Sequence, residues 1–233
     1  MEAFLLKGKS IKEHLLKLTA YSNKPFTESL HPGVEHILGI RMGDLRKLAK
    51  QIAKEDWRSY IRSADTYYME ERTLHGLVLG YVPVDDIDEY LHYVDGFVKV
   101  INSWSVCDSF TFSGGSSFVS IHQQRLWELL KEYMNSSEEY EVRFGIVMAL
   151  RYFIDETHLQ ELFGLLAAIR LEAYYVKMAI AWALSVCFVK YPVQTENFLK
   201  QCTLDDFTYR KTIQKIRESY RVSSQWKATL CKS

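Results

Sequence analysis

Glu141-Val-Arg-Phe-Gly-Ile-Val-Met-Ala-Leu150 returns 34 residues later as Tyr175-Val-Lys-Met-Ala-Ile-Ala-Trp-Ala-Leu184. Val142 falls on Val176, Ile146 on Ile180, Ala149-Leu150 on Ala183-Leu184, and Arg143 on Lys177. The frame recurs more weakly at Glu71-Arg72, at an offset of 71. The shared apolar positions follow a helical period. A repeat of this length is one helix pair, which cannot bury its apolar face alone, so neighbouring pairs must stack. The expected fold is therefore all-α: an α-solenoid superhelix of HEAT-like helical repeats. A buried stripe accounts for the apolar positions but does not call for Arg143 or Trp182.

Working outward, 233 residues with 48% hydrophobic and 25% charged side chains suit a soluble globular protein. A single domain over 1–233 is expected. Only four prolines and eleven glycines are present, too few for a turn-rich β fold. No segment alternates at period two, so no strand is expected. Lys+Arg and Asp+Glu stand at 29 each, so whole-chain charge gives nucleic-acid binding no support. The distribution is uneven. Residues 1–62 and 209–233 are basic, the latter with seven Lys/Arg including Lys232 against Glu218 alone, and 63–96 are acidic. Cys107, Cys187, Cys202 and Cys231 form no C-x-x-C, which fits a reducing, cytoplasmic compartment. The opening Met1-Glu-Ala-Phe-Leu-Leu-Lys7 is too short and too soon charged for a signal peptide, and no apolar run is long enough for a membrane span.

Along the chain, Ser10-Ile-Lys-Glu13 has capping-box spacing before an apolar run. Residues 23–41, with Pro25, Pro32, Gly33 and Gly39, read as an irregular connection holding at most a short turn. Asp44 is expected to cap the helix that follows. Helices are expected near 56–62, 68–81 and 85–94, and then at about 120–135, 138–153, 157–169, 172–189, 193–201 and 205–219. The glycine/serine stretch Thr111-Phe-Ser-Gly-Gly-Ser-Ser-Phe118 reads as a flexible loop.

Trp104-Ser-Val-Cys-Asp108 sets an indole four residues before a carboxylate; Arg143 follows Trp104 by 39 residues and Trp182 follows Arg143 by another 39. Taken singly, each has an ordinary structural explanation: a core tryptophan, a capping aspartate, a paired arginine. Together they resemble the AlkD-like DNA alkylation repair proteins, HEAT-like-repeat DNA glycosylases, over about residues 14–222. The resemblance is carried by the W-x-x-x-D spacing of Trp104 and Asp108, by Arg143, and by the helix around Trp182. Thr19-Ala-Tyr-Ser-Asn-Lys-Pro-Phe26, Leu38-Gly-Ile40 with Asp44-Leu-Arg-Lys-Leu48, and the basic Arg210-Lys-Thr-Ile-Gln-Lys-Ile-Arg217 also match.

That resemblance implies excision of positively charged N3- or N7-alkylated purines from double-stranded DNA by a monofunctional glycosylase. Asp108 would stabilise the oxocarbenium-like sugar and position the water. Trp104 and Trp182 would pack against the sugar-phosphate backbone, and Arg143 would pair with a phosphate. Tyr21 matches the family's N-terminal tyrosine. Lys47, Lys50, Lys177, Arg210 and Arg217 are candidate phosphate contacts, which solvated helix faces explain as well. No metal or organic cofactor is implied, no membrane partner is expected, and a monomer is expected. The alternatives are a catalytically silent binder of damaged or branched DNA, and a protein-binding scaffold. Two weaker sets remain. His31, Glu35 and His36 have the residue types of a metal site without helical spacing, and Cys107 as a nucleophile has no evident activating base.

Overall fold

Lys7 and Gly8 take φ values of +52° and +75°. Two consecutive left-handed residues make a turn of the type that closes a two-residue hairpin. It pairs β1 (Leu5–Leu6) antiparallel to β2 (Lys9–Ser10). The absence of strands expected above is thus corrected: two-residue strands are too short for a period-two pattern to register. The structure, a computed structural model, describes residues 4–229. Residues 1–3, Cys231 and Lys232, all used in the readings above, lie outside the described residues.

Ser10 then starts α1 (Ile11–Leu18) through a reciprocal capping box: Glu13 N–H donates to Ser10 Oγ at 3.3 Å, and Ser10 N–H to Glu13 Oε2 at 2.8 Å. After a 3-10 turn over Thr19–Tyr21 comes α2 (Lys24–Leu30). This is a two-turn helix where an irregular connection was expected. Pro25 lies in its first turn, where a missing N–H leaves no bond unmade, and Asn23 accepts from Phe26 N–H at 3.3 Å. In α3 (Met42–Ile52) the capping position belongs to Arg41. Asp44 sits inside the first turn, 3.3 Å from both Arg41 and Lys47. Then follow α4 (Trp57–Ser63), α5 (Met69–Leu79), α6 (Ile87–Val98) and α7 (Trp104–Ser109), the first, third and fourth capped by Asp56, Asp86 and Ser103.

Residues 111–118 correct another expectation. Phe110 and Phe112 are fully buried, and Phe110 packs on Phe97 at 5.4 Å. Ser113 N–H donates to the Tyr90 hydroxyl at 3.0 Å, and Ser113 Oγ to the Val82 carbonyl at 2.5 Å. The stretch is a pinned corner that runs into α8 (Gly115–Ile121). Beyond it lie α9 (Gln123–Met134), α10 (Glu139–Tyr152), α11 (Leu159–Ala168), α12 (Tyr174–Lys190), α13 (Pro192–Gln201), α14 (Asp206–Glu218) and α15 (Ser224–Thr229). The protein is therefore all-α apart from the hairpin. No described helix is long and apolar enough to cross a membrane.

The chain divides into two compact units, Met1–Ile121 and His122–Ser233. In the first, α3, α6 and α7 all pack on α5, whose Met69–Leu79 side chains are buried except for a half-buried Arg72. In the second, α10 lies between α9 and α12, and α12 in turn carries α13 and α14. Stacking in chain order is how HEAT-like layers pack. Val142–Leu150 of α10 is buried on every side, which its apolar run requires. Gly145 allows the α9–α10 approach, since a Cβ there would meet the Leu130 carbonyl oxygen at 2.9 Å.

Candidate functional site

Ser103 begins α7, its Oγ accepting Val106 N–H at 3.3 Å. Trp104 is the first helical residue, and Asp108 follows one turn later on the same face. Both are half-buried, whereas Val106 and Cys107 point fully into the core. Burial closes Cys107 to any substrate. Asp108 stands in the last turn of α7, toward its carbonyl end. Carboxylate and helix terminus therefore carry the same negative sign.

The Trp104 indole is held from two sides. Its Nε1–H donates to the Leu30 carbonyl at 3.1 Å, and its face lies parallel to the His31 ring, 2° between planes and 5.0 Å between centroids. His31, 5% exposed, also bonds the Thr27 carbonyl through Nδ1 at 2.7 Å and meets Ser105 Oγ through Nε2 at 2.6 Å. His36 is separately engaged, stacked on Tyr67 at 3.9 Å. Among the described residues no group of three His, Cys, Asp or Glu could hold a metal ion.

Beneath this segment, Glu70 explains the Leu38-Gly39-Ile40 turn. Its carboxylate accepts three backbone N–H groups, from Leu38 at 3.0 Å, Gly39 at 2.7 Å and Ile40 at 3.3 Å. Gly39 has φ +75°, and a Cβ there would strike the Lys24 Cα at 2.4 Å. Only glycine lets this turn sit against the start of α2. Tyr21 is 70% exposed at the end of its 3-10 turn, with the Arg41 guanidinium 5.7 Å from its ring centre. Among the described residues Lys47 pairs with Asp44 and is otherwise exposed, and Lys50 lies over the Tyr81 ring at 5.2 Å.

In the second unit Trp182 is half-exposed on α12, and among the described residues its indole has neither a hydrogen-bond nor a ring partner. Trp127 shows the contrast of a core tryptophan: 4% exposed, Nε1–H donating to Glu161 Oε2 at 2.7 Å, packed on Phe153. Arg143 is 5% exposed, and one guanidinium nitrogen donates to the Tyr175 carbonyl at 2.8 Å. The Tyr175 N–H donates to Glu139 at 2.9 Å, so the start of α12 is clasped from both sides by α10. Lys177 is clamped between Glu172 at 2.5 Å and Asp205 at 3.3 Å. The Glu172 hydrogen bond, more than the Asp205 contact, holds its ammonium above the usual lysine range. Arg210 and Arg217 are exposed on α14, with Arg210 Nε–H bonded to the Asp206 carbonyl of its own helix at 3.2 Å.

Of the residues named from sequence, α7 brings Trp104 and Asp108 onto one face. Tyr21 and Lys47 stand elsewhere in the first unit, and Arg143, Trp182, Lys177, Arg210 and Arg217 belong to the second. Arg143 and Lys177 share a repeat position and a habit of reaching forward. Arg72, their weaker counterpart, does the same, donating to the Val100 carbonyl at 2.6 Å. Sequence reading missed His31 and Glu70 as supports. The Leu38-Gly39-Ile40 turn was the one visible signal, since three consecutive N–H groups need an acceptor.

A protein that is all-α apart from its hairpin, with a half-buried Trp–Asp helix face and a repeated second unit, is thereby defined, and over residues 11–220 it matches the family described as DNA alkylation repair enzyme. The chain belongs to that family. No curated protein matches it.

Proposed function

We propose that, within DNA alkylation repair, this protein is a monofunctional glycosylase that hydrolyses the N-glycosidic bond of cationic N3- or N7-alkylated purines in double-stranded DNA. The observation that carries the reading is the single face of α7 on which Trp104 and Asp108 stand half-exposed. The leaving purine already bears positive charge. When the C1′–N bond breaks, its electron pair neutralises the base, and the positive charge passes to the sugar. Asp108, in the last turn of α7, offers the sign of field that stabilises that sugar cation. Water then adds to C1′ and loses a proton, with Asp108 as acceptor or orienting group. No strong general acid is needed, because the base departs neutral.

Trp104 and Trp182 supply π-faces for the backbone and cationic sugar, about 0.5–2 kcal/mol each. Arg143, Tyr21, Lys47, Lys177, Arg210 and Arg217 are the proposed DNA contacts. Arg143 is 5% exposed and Lys177 is held by two carboxylates, so exposed Tyr21, Lys47, Arg210 and Arg217 are the readier surface. The reading further takes the protein to be a cytoplasmic monomer.

A single-turnover assay on duplexes containing 7-methylguanine or 3-methyladenine tests this. Wild type should release base, and Asp108→Asn should slow release about 100- to 1,000-fold. Tight binding of the damaged duplex without release above the spontaneous rate would replace the enzyme with a silent binder.

A further inference from the structure

We infer that His31 is a positioning residue for Trp104, fixing the indole that the proposed glycosylase reaction uses; the inference rests on that reading for its effect on rate, though not for its effect on the ring. Its imidazole makes three contacts at once. The Thr27 carbonyl, in the last turn of α2, can only accept, so Nδ1 carries a proton and donates to it at 2.7 Å. In the neutral ring Nε2 is then an acceptor, and the Ser105 hydroxyl donates to it at 2.6 Å. Ser103 Oγ, which caps α7, stands 3.3 Å from Ser105 Oγ and can donate in turn.

The result is a directed chain: Ser103 to Ser105 to His31 to the Thr27 carbonyl. Such chains polarise and stiffen their members. The chain ties the first turn of α7 to the C-terminal turn of α2, across 74 residues of sequence. On this tie the flat face of His31 lies parallel to Trp104, and the Leu30 carbonyl, three residues further along α2, receives the indole N–H. One indole face is thereby covered and its edge is fixed, so the exposure Trp104 retains lies away from the imidazole.

No other side chain does all of this. Phenylalanine stacks but leaves the Thr27 carbonyl and the Ser105 hydroxyl without their partner. Asparagine or glutamine bonds without a ring to stack. With 5% of its surface exposed, His31 itself does not meet DNA. Its influence passes through the orientation of Trp104, so it acts on the rate of base release rather than on affinity. An error of about 1 Å in such a group costs about 100-fold in rate.

The test uses the full chain labelled with 5-fluorotryptophan, the Trp104 resonance being assigned with Trp104→Phe. His31→Phe keeps a ring and removes both hydrogen bonds; Ser105→Ala removes the Nε2 bond and the link to Ser103 but leaves the Thr27 bond and the stacked ring, the gentler disturbance. In both, the Trp104 fluorine signal should shift and broaden in the absence of DNA. Single-turnover release should fall about 10- to 100-fold for His31→Phe and less for Ser105→Ala, with affinity for undamaged duplex within about threefold of wild type. An unshifted, narrow Trp104 signal in Ser105→Ala and His31→Phe overturns the inference, as do wild-type release rates in both. Should wild type release no base, the glycosylase reading fails by itself, and the fluorine signal still decides the role of His31.

Discussion

Replacing Glu70 with glutamine should destabilise the first unit far more than the same change at Glu71. The Glu70 side chain is 1% exposed, and its two oxygens receive the N–H groups of Leu38, Gly39 and Ile40 at 2.7–3.3 Å. Hydrogen bonds to a charged group contribute about 1.5–3 kcal/mol each. Glutamine can set its carbonyl oxygen where Oε1 serves Gly39 and Ile40, but its NH2 group then faces the Leu38 N–H, so one bond is lost and the other two fall to neutral strength. The expected cost is about 3–5 kcal/mol. For a chain of this length each kcal/mol lowers Tm by about 2–4 °C, so the variant should melt about 10 °C lower. Glu71 supplies the control. It accepts the Tyr68 N–H at 2.9 Å, and burial already pushes its carboxyl toward the neutral form. An uncharged amide should be tolerated there at about 1 kcal/mol. Thermal and urea melts followed by circular dichroism measure both variants. A Glu70→Gln protein melting within about 2 °C of wild type would refute the reasoning, as would equal losses at the two positions.

His75 is buried with neither ring nitrogen bonded among the described residues, and burial lowers its pKa to about 4. The unfolded chain takes up that proton as pH falls through about 6.5, while the native state resists until about 4. Stability should therefore be complete above pH 6.5 and decline on acidification, by about 3 kcal/mol at pH 4. Urea midpoints across this range should show that slope, and His75→Leu should remove it; an unchanged slope in the variant excludes His75 as the cause. Arg143→Met should lose about 2 kcal/mol of stability with the Tyr175 carbonyl bond. If Arg143 also neutralises a phosphate, the slope of log affinity against log salt becomes shallower by about 0.9; an unchanged slope removes the phosphate role.

The repeat was legible because apolar stripes at a helical period have few other uses, and α10 and α12 form where Glu141–Leu150 and its copy predict. Capping was legible at Ser10, where a capping box precedes an apolar run, and misread at Asp44, where the capping position belongs to Arg41. Proline misled at α2, since Pro25 breaks a helix interior yet suits a first turn. Composition misled at 111–118, where Phe110 and Phe112 anchor what glycine and serine suggested was loose. The Trp104–Asp108 spacing revealed one face of the candidate site because i, i+4 is local. The supports stayed hidden because their partners are remote. His31 answers to Ser105 and Glu70 to backbone N–H groups about thirty residues upstream. The Arg143 bond to Tyr175 stayed hidden because its acceptor is a main-chain carbonyl, which leaves no trace in the sequence.

The forward-reaching cations also give the molecule a direction in time. Arg72 bonds the carbonyl of Val100, Arg143 that of Tyr175, and Lys177 the carboxylate of Asp205. In each of these three bonds the donor precedes its acceptor in the chain, although Lys177 also has Glu172 just upstream. During synthesis, which delivers the chain from its N-terminus, each of these cations emerges before this forward acceptor does. The last helix pair to leave the ribosome therefore completes the one before it, and a nascent chain halted before Tyr175 would hold Arg143 without this acceptor.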